Sequence, residues 1–354
     1  MPARGLYVGA RRDSGLSSRR VLPGVEPVRR LVVLPGIGEG LLTRIFFATD
    51  IHGSEICWKK FISAGKFYGA DVLILGGDMT GKAIVPIIHQ GGDKYKVTLL
   101  EQQSLVQGED DVQEMVRRIK SRGYYPYITT PDEITELKAD PQRVDRLFVA
   151  EVLKTAEQWL TYADEKLNGS GTRCYVAPGN DDMFQLDDLI QTSKRVALAE
   201  GQVVALDDWH EMASSGWTNV TPWHTFREES EEKLRTRYEA MLGQVRDVCN
   251  CVFNFHAPPY GTTLDDAPEL TKDLRPKRAG NSVIPVGSRA GRAMIEEHRP
   301  LLVLCGHIHE AKGSVRLGRT LCINPGSMYE QGRLLGAVIN LAPNKIQSYV
   351  LITG

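Results

Sequence analysis

The sequence predicts an α/β protein with mixed sheets, and three observations carry that expectation. Short continuous apolar runs recur along the chain, such as Ile45-Phe46-Phe47-Ala48, Val72-Leu73-Ile74-Leu75 and Val252-Phe253-Asn254-Phe255. Runs of this length that stop at glycine or a polar residue fit strands covered on both faces. Segments with the apolar spacing of helices lie between them. Each run also ends at Asp, Asn or His, the position where open α/β sheets bind ligands.

Bulk properties exclude several classes. At 354 residues the chain is long enough to bury a large core without covalent staples. A formal net charge of -1 gives no electrostatic reason to expect nucleic acid as a partner. The six cysteines show no zinc-type pairing. Cys174, Cys305 and Cys322 lie inside apolar runs and read as buried thiols, which fits a reducing compartment and a cytoplasmic location. No stretch approaches the ~20 apolar residues of a membrane span.

Taken in order, residues 1–43 are rich in Arg, Gly and Pro and read as a disordered extension. The run Leu31-Val32-Val33-Leu34 is too short for a signal-peptide core. Residues 44–354 read as a single domain, opening with the strand at Ile45 that exits at Asp50. Residues 54–69 have helical spacing, with Ile56, Phe61, Phe67 and Tyr68 as apolar positions. The strand 72–75 follows and exits through Gly76-Gly77 to Asp78. Residues 83–100 read as a hairpin turning at Gly91-Gly92-Asp93. Then come a helix over 109–122, a strand over 124–128 and a long helix over 143–167. Arg173-Cys174-Tyr175-Val176-Ala177 reads as a strand that exits at Asn180-Asp181-Asp182.

Two short strands are expected within 203–217, and a charged, solvated helix over 228–245. Strand 252–256 ends at His256, and 257–286 reads as a long loop. A helix over 289–298 leads to strand 301–305, which exits at Gly306-His307-Ile308-His309. The tail, 314–351, reads as short strands and turns.

Five strand exits thus carry Asp50 and His52, Asp78, Asn180 and Asp181, His256, and His307 and His309. Imidazole, carboxylate and carboxamide together suit divalent metals such as Mn, Fe or Zn without choosing among them. The pairs Asp50/His52 and His307/His309 are spaced two apart, so in extended backbone each faces one side. Four of the eight histidines fall at these exits, leaving His89, His210, His224 and His298 as surface or structural residues. The seven donors other than Asp181 exceed the needs of one tetrahedral ion, and two ions sharing a carboxylate account for the number.

The order and form of Asp50-Ile51-His52-Gly53, Gly76-Gly77-Asp78-Met79-Thr80-Gly81, Gly179-Asn180-Asp181-Asp182, His256 and Gly306-His307-Ile308-His309 resemble the calcineurin-like metallophosphoesterase superfamily. The stretch from Gly287-Ser288-Arg289 through Cys305 to Glu310 is similar in particular to bacterial and archaeal phosphoesterases related to cyclic-nucleotide phosphodiesterases. The resemblance implies a four-layer αββα sandwich and hydrolysis of a phosphodiester or phosphomonoester by a water activated between two metals. It implies that Asp50, His52, Asp78 and His309 hold one ion. Asp78, Asn180, His256 and His307 hold the other, with Asp78 bridging and Asn180 also touching the substrate phosphate.

Two positions depart from the family pattern. Thr80 stands where Asn is common, and Asp181 stands where the family has the His that serves the leaving group. Asp181 is therefore a candidate acid, which requires a raised pKa. Residues 83–145 and 257–286 are candidates for substrate choice, because loops on a rigid scaffold carry specificity. The expected partner is a small phosphorylated, nucleotide-like molecule, with no membrane. A scaffold protein on the same fold is the alternative, although every expected ligand position is filled. A nuclease is a lesser one, opposed by the near-neutral charge.

Overall fold

The computed structural model describes residues 42–271, 273–275, 277 and 283–354. The extension expected over 1–43 lies outside the described residues up to residue 41, and Thr43 already belongs to the first strand, Thr43–Ala48.

Side chains alternate between the two faces of a strand, and the buried strands here are apolar on both. Ile45, Phe47, Val72 and Ile74 face one way, into a core shared with Met212, Val252, Leu302, Leu304 and Ile323 of a second sheet. Phe46, Ala48, Leu73 and Leu75 face the other way, against Trp58, Phe61, Trp159 and Leu160 of helices Glu55–Tyr68 and Pro141–Leu167. On the far side of the second sheet, Phe253, Phe255 and Val303 meet Leu234, Tyr238, Met294 and Ile295 of helices Glu231–Leu242 and Arg289–His298. The layers are therefore helix, sheet, sheet, helix, the αββα sandwich expected from the sequence.

The first sheet runs Lys345–Thr353, Leu335–Ala342, Thr43–Ala48, Val72–Leu75, Arg173–Val176, Val196–Leu198 from edge to edge. The second runs Gly313–Leu317, Thr320–Asn324, Leu302–Leu304, Val252–Phe255, Glu211–Ser215, Val203–Ala205. Thr43–Ala48, Val72–Leu75 and Arg173–Val176 are mutually parallel, as are Glu211–Ser215, Val252–Phe255 and Leu302–Leu304. Parallel strands place all their C-terminal ends on one edge of a sheet, so every exit of interest emerges on one rim.

Residues 84–129 leave this frame to form a separate four-stranded sheet. Its order is Gln102–Gln107, Lys94–Leu99, Ile84–His89, Tyr125–Thr129. Helix Gly108–Ser121 closes a small core of Val85, Ile87, Val97, Leu99, Val112, Met115 and Ile119.

Several elements differ from the sequence reading. Strand Gln102–Gln107 is absent from it because its turn lacks glycine and asparagine. Leu100 and Glu101 adopt φ +48° and +65° in a two-residue loop, as a type I′ turn requires. Helix Pro131–Ala139 also escaped it, although Thr130 caps it by accepting from Glu133 N at 3.3 Å. The helix expected to be solvated buries Leu234, Tyr238, Met241 and Leu242 on one face. The tail is mainly one long hairpin, whose strand Leu335–Ala342 is buried throughout and pairs antiparallel with Thr43–Ala48. The loop 257–286 contains the short pair Asp266–Pro268 and Val283–Pro285. Its two ends are joined by buried Asp265, which accepts from Gly261 N, Thr262 N and Gly287 N.

Among the described residues no helix is long and apolar enough to cross a membrane. All six cysteines are free thiols, and Cys174, Cys305 and Cys322 are buried as expected.

In helix Glu55–Tyr68 the inward face carries Trp58, Phe61, Ile62 and Gly65, whereas Phe67 is 80% exposed. Phe67 follows Phe61 by six residues, which at 3.6 residues per turn sets it about 120° away round the helix and takes it off the apolar face read from the sequence. Phe61→Ala should therefore destabilise the fold by about 3–5 kcal/mol in urea unfolding. Phe67→Ala should stay within about 0.5 kcal/mol of the parent. Equal effects would show that this face assignment is wrong.

Candidate metal centre

The rim where the strand ends converge brings seven of the residues singled out in the sequence into close groups: Asp50, His52, Asp78, Asp181, His256, His307 and His309, with Asn180 next to Asp181 in the chain. Asp50, Asp78 and Asn180 come from the first sheet; His256, His307 and His309 come from the second. Asp50, His52, Asp78, Asn180 and His256 are each at most 3% exposed. Two groups of donor atoms lie close enough to hold a cation: Asp50, His52 and His309, and Asp78, His256 and His307. A third group joins His52, Asp78 and Asp181.

The backbone reaches this arrangement by unusual turns. Asp50, His52, Asp78 and His307 have φ of +53°, +38°, +49° and +66°. Non-glycine residues in this left-handed region cost on the order of 1–2 kcal/mol each. The turns are held by a ladder that continues past the strands. Asp50 N donates to Gly77 O at 3.0 Å, His52 N to Asp78 O at 2.9 Å and Gly53 N to Met79 O at 2.9 Å. Gly77, at φ +137°, is required for close approach as well, since a Cβ there would lie 2.1 Å from His256 Nδ1.

Neighbouring donors fix the two carboxylates. Asp50 accepts from Thr49 Oγ1 at 2.7 Å and from His307 N at 3.1 and 3.0 Å. Asp78 Oδ1 accepts from Asp181 N at 2.9 Å. His256 donates through Nδ1 to Gly76 O at 3.0 Å, which turns Nε2 towards Asp78 Oδ2 at 3.4 Å and Asp50 Oδ1 at 3.8 Å. His309 Nε2 lies 3.4 Å from Asp50 Oδ1 and 2.9 Å from His52 Nε2. Asn180 donates its amide to Thr225 Oγ1 at 2.8 Å, which leaves Oδ1 as a free acceptor.

Electrostatics follow from this crowding. Burial by itself raises Asp50 and Asp78, but the imidazoles around them, His256 foremost, outweigh it and hold both below the usual carboxylate range. Burial opposes charge on His256, yet Asp78 and Asp50 keep it at about 9. Burial, reinforced by His256, pushes His307 down to about 4. Burial, with Lys82 and His309 nearby, also pushes His52 well below its usual value.

The donor set fits divalent cations. His256 Nε2, His52 Nδ1 and Asn180 Oδ1 are buried without a hydrogen-bond partner, a costly state for a polar atom. His52 Nε2 and His309 Nε2, 2.9 Å apart beside Asp50 and Asp78, complete a donor set of the kind that suits divalent cations. Neutral imidazole and carboxylate are the forms that bind metal.

Supporting residues that the sequence did not reveal surround these donors. Asp182 is fully buried, and Oδ2 accepts from Met79 N at 2.9 Å and Gly179 N at 2.8 Å. Its Oδ1 accepts from Thr80 N at 2.8 Å and Thr80 Oγ1 at 2.6 Å, which gives the departure at Thr80 a use. Burial, with Asp78 beside it, raises Asp182 to about 6. Buried Arg227 donates to the carbonyls of Asp182 and Gly179 and pairs with Asp187. Glu228 accepts from Thr221 and Thr225, which sets the hydroxyl that orients Asn180. Among the remaining histidines, His210 is buried and structural, with Nδ1 2.7 Å from Asp207 Oδ2.

In architecture the chain is similar to solved structures of the same mixed α/β fold. One solved structure superimposes over 88% of this chain and 99% of its own, with TM-score 0.51 and 13% identity. The protein TT1561 of Thermus thermophilus aligns at TM-score 0.45 and 14% identity, over 88% of this chain and 98% of its own. An archaeal phosphodiesterase aligns at TM-score 0.37 and 11% identity, over 88% of this chain and 100% of its own. In sequence, the uncharacterized protein MJ1162 of Methanocaldococcus jannaschii is 33% identical over 112 residues, 31% of this chain and 45% of the relative. The chain thus matches less than half the length of that relative. No family model matches.

Asp182→Asn removes the anion and turns an amide N–H towards donors that now face no acceptor. Two unmet donors at about 1.5 kcal/mol each predict a loss of roughly 3 kcal/mol, measured by urea unfolding of the metal-free protein. A stability unchanged within about 0.5 kcal/mol would remove Asp182 from this supporting role.

Proposed function

We propose that this chain hydrolyses a phosphoester with two divalent cations held at the strand-end rim. The observation that carries the reading is the convergence of two buried carboxylates, Asp50 and Asp78, with the imidazoles of His52, His256, His307 and His309 in groups compact enough to hold a cation. Asp50, His52 and His309 would hold one cation and His256, His307 and Asn180 the other, with Asp78 shared between them. Bound there, such cations lower the pKa of water to near neutrality and offset charge on phosphoryl oxygens.

The chain's own groups do the rest. His256 is locked by Gly76 O with Nε2 towards the rim, and Asn180 is locked by Thr225 with Oδ1 free. Both are thus pre-oriented, and orientation of this kind is what second-layer hydrogen bonds supply to metal ligands. The second hydrogen on Asn180 Nδ2 remains for a phosphoryl oxygen. Asp181 Oδ2 lies 2.7 Å from Lys82 Nζ, so in this arrangement the carboxylate acts as an acceptor rather than as an acid.

The substrate is inferred to be a small, nucleotide-like phosphoester, chosen by residues 83–145 and 257–286. Manganese is the first metal to try, with iron and zinc beside it, and the setting inferred is cytoplasmic. The archaeal phosphodiesterase and the phosphoesterase YfcE from E. coli, which bear activities of this class, align with this chain.

The direct test is a screen of metals against aryl phosphodiesters and monoesters, with elemental analysis of the purified protein. Two equivalents of metal with turnover support the reading; two equivalents without turnover on any ester reject hydrolysis. Asp78→Asn should lose most of its metal and at least about 100-fold in kcat/KM. Retention of both would overturn the shared-carboxylate assignment.

A further inference from the structure

Asp181 and Lys82 form an ion pair at the lip of the centre. Asp181 is anchored inward, since its N–H donates to Asp78 Oδ1 at 2.9 Å and its Oδ2 lies 3.9 Å from His52 Nδ1. On its outer side Oδ2 lies 2.7 Å from Lys82 Nζ. Lys82 is anchored as well: it follows Gly81, whose N–H donates to buried Tyr125 Oη at 2.8 Å. The Asp181 side chain is 18% exposed and that of Lys82 46% exposed, so the pair spans from the donor cluster to solvent.

A solvent-exposed ion pair contributes little to stability, typically about 0–1 kcal/mol. This one has a geometric consequence instead. An ammonium has three donors, and among the described residues Asp181 is the one side-chain partner of Lys82. Two N–H groups are left at the edge of the cluster. A compact cation with free donors beside a metal site is suited to phosphoryl oxygens.

We propose that Lys82, positioned by Asp181, binds the anionic oxygens of the phosphoryl group at this centre. The inference rests on the phosphoester reading above. It assigns Asp181 a positioning role, in place of proton donation.

Binding of inorganic phosphate to the metal-loaded protein, followed by calorimetry, tests this without requiring turnover. Loss of one hydrogen bond to a charged partner predicts that Lys82→Ala weakens phosphate about 10- to 100-fold. Metal content should remain at the parent level, and Lys82→Arg should recover most of the affinity. Asp181→Asn should also keep its metal. Unchanged phosphate affinity in Lys82→Ala overturns the proposal. Metal loss in Asp181→Asn overturns it too, because Asp181 would then be a ligand and Lys82 only its counter-ion. If the parent protein hydrolyses no ester but binds phosphate in a Lys82-dependent way, the hydrolase reading fails and the phosphate site stands.

Discussion

The structure depends on keeping two carboxylates, Asp50 and Asp78, buried side by side at the seam between its sheets. Buried charge is tolerated only when paired or hydrogen-bonded. Here the compensation comes from every direction: Thr49 and His307 N on Asp50, Asp181 N on Asp78, and His256 facing both. Protons alone do not complete it. Any proton placed between His52 Nε2 and His309 Nε2 leaves His52 Nδ1 unmet, and Asn180 Oδ1 has no donor. The groups gathered here could hold metal ions as well as protons.

This constraint explains the backbone around it. An ordinary strand-to-loop transition would splay Asp50, Asp78 and His307 apart. Left-handed φ values at these residues and at His52 fold the exits back over the sheet ends. Such conformations persist only where the surroundings over-determine them. The ladder between the first two exits and the four hydrogen bonds accepted by Asp182 provide that determination. Parallel strands rigidly packed on two faces form the platform, so strain at the rim is opposed by the core rather than by flexible loops.

What was legible in the sequence follows the same division. Strands buried on both faces announce themselves as continuous apolar runs, and the residues at their ends are read by position. The donors at Asp50, Asp78, Asn180, His256, His307 and His309 were therefore visible as one construction repeated. Features that depend on three-dimensional neighbours were not. Asp181 and Asp182 are adjacent acids with no local signal to separate them. Only the fold shows that Asp182 turns inward to Met79, Thr80 and Gly179 while Asp181 turns outward to Lys82. The turn at Leu100 and Glu101 carries no glycine, so tertiary pairing overrode local preference there. Phe67 shows the converse, an apolar residue that phase alone places in solvent.

The third exit is where this chain departs from the motif pattern it resembles. A histidine at that position can offer a proton; on the proposal above, Asp181 instead positions the Lys82 ammonium, 2.7 Å away. The two are not interchangeable in a reaction. A proton donor assists departure of a poor leaving group, whereas a fixed ammonium stabilises negative charge as it builds on phosphoryl oxygens. On the proposed function, the exchange from His to the Asp181–Lys82 pair moves the burden from acid catalysis to charge stabilisation. Esters whose leaving groups depart without protonation are the substrates such a site would favour.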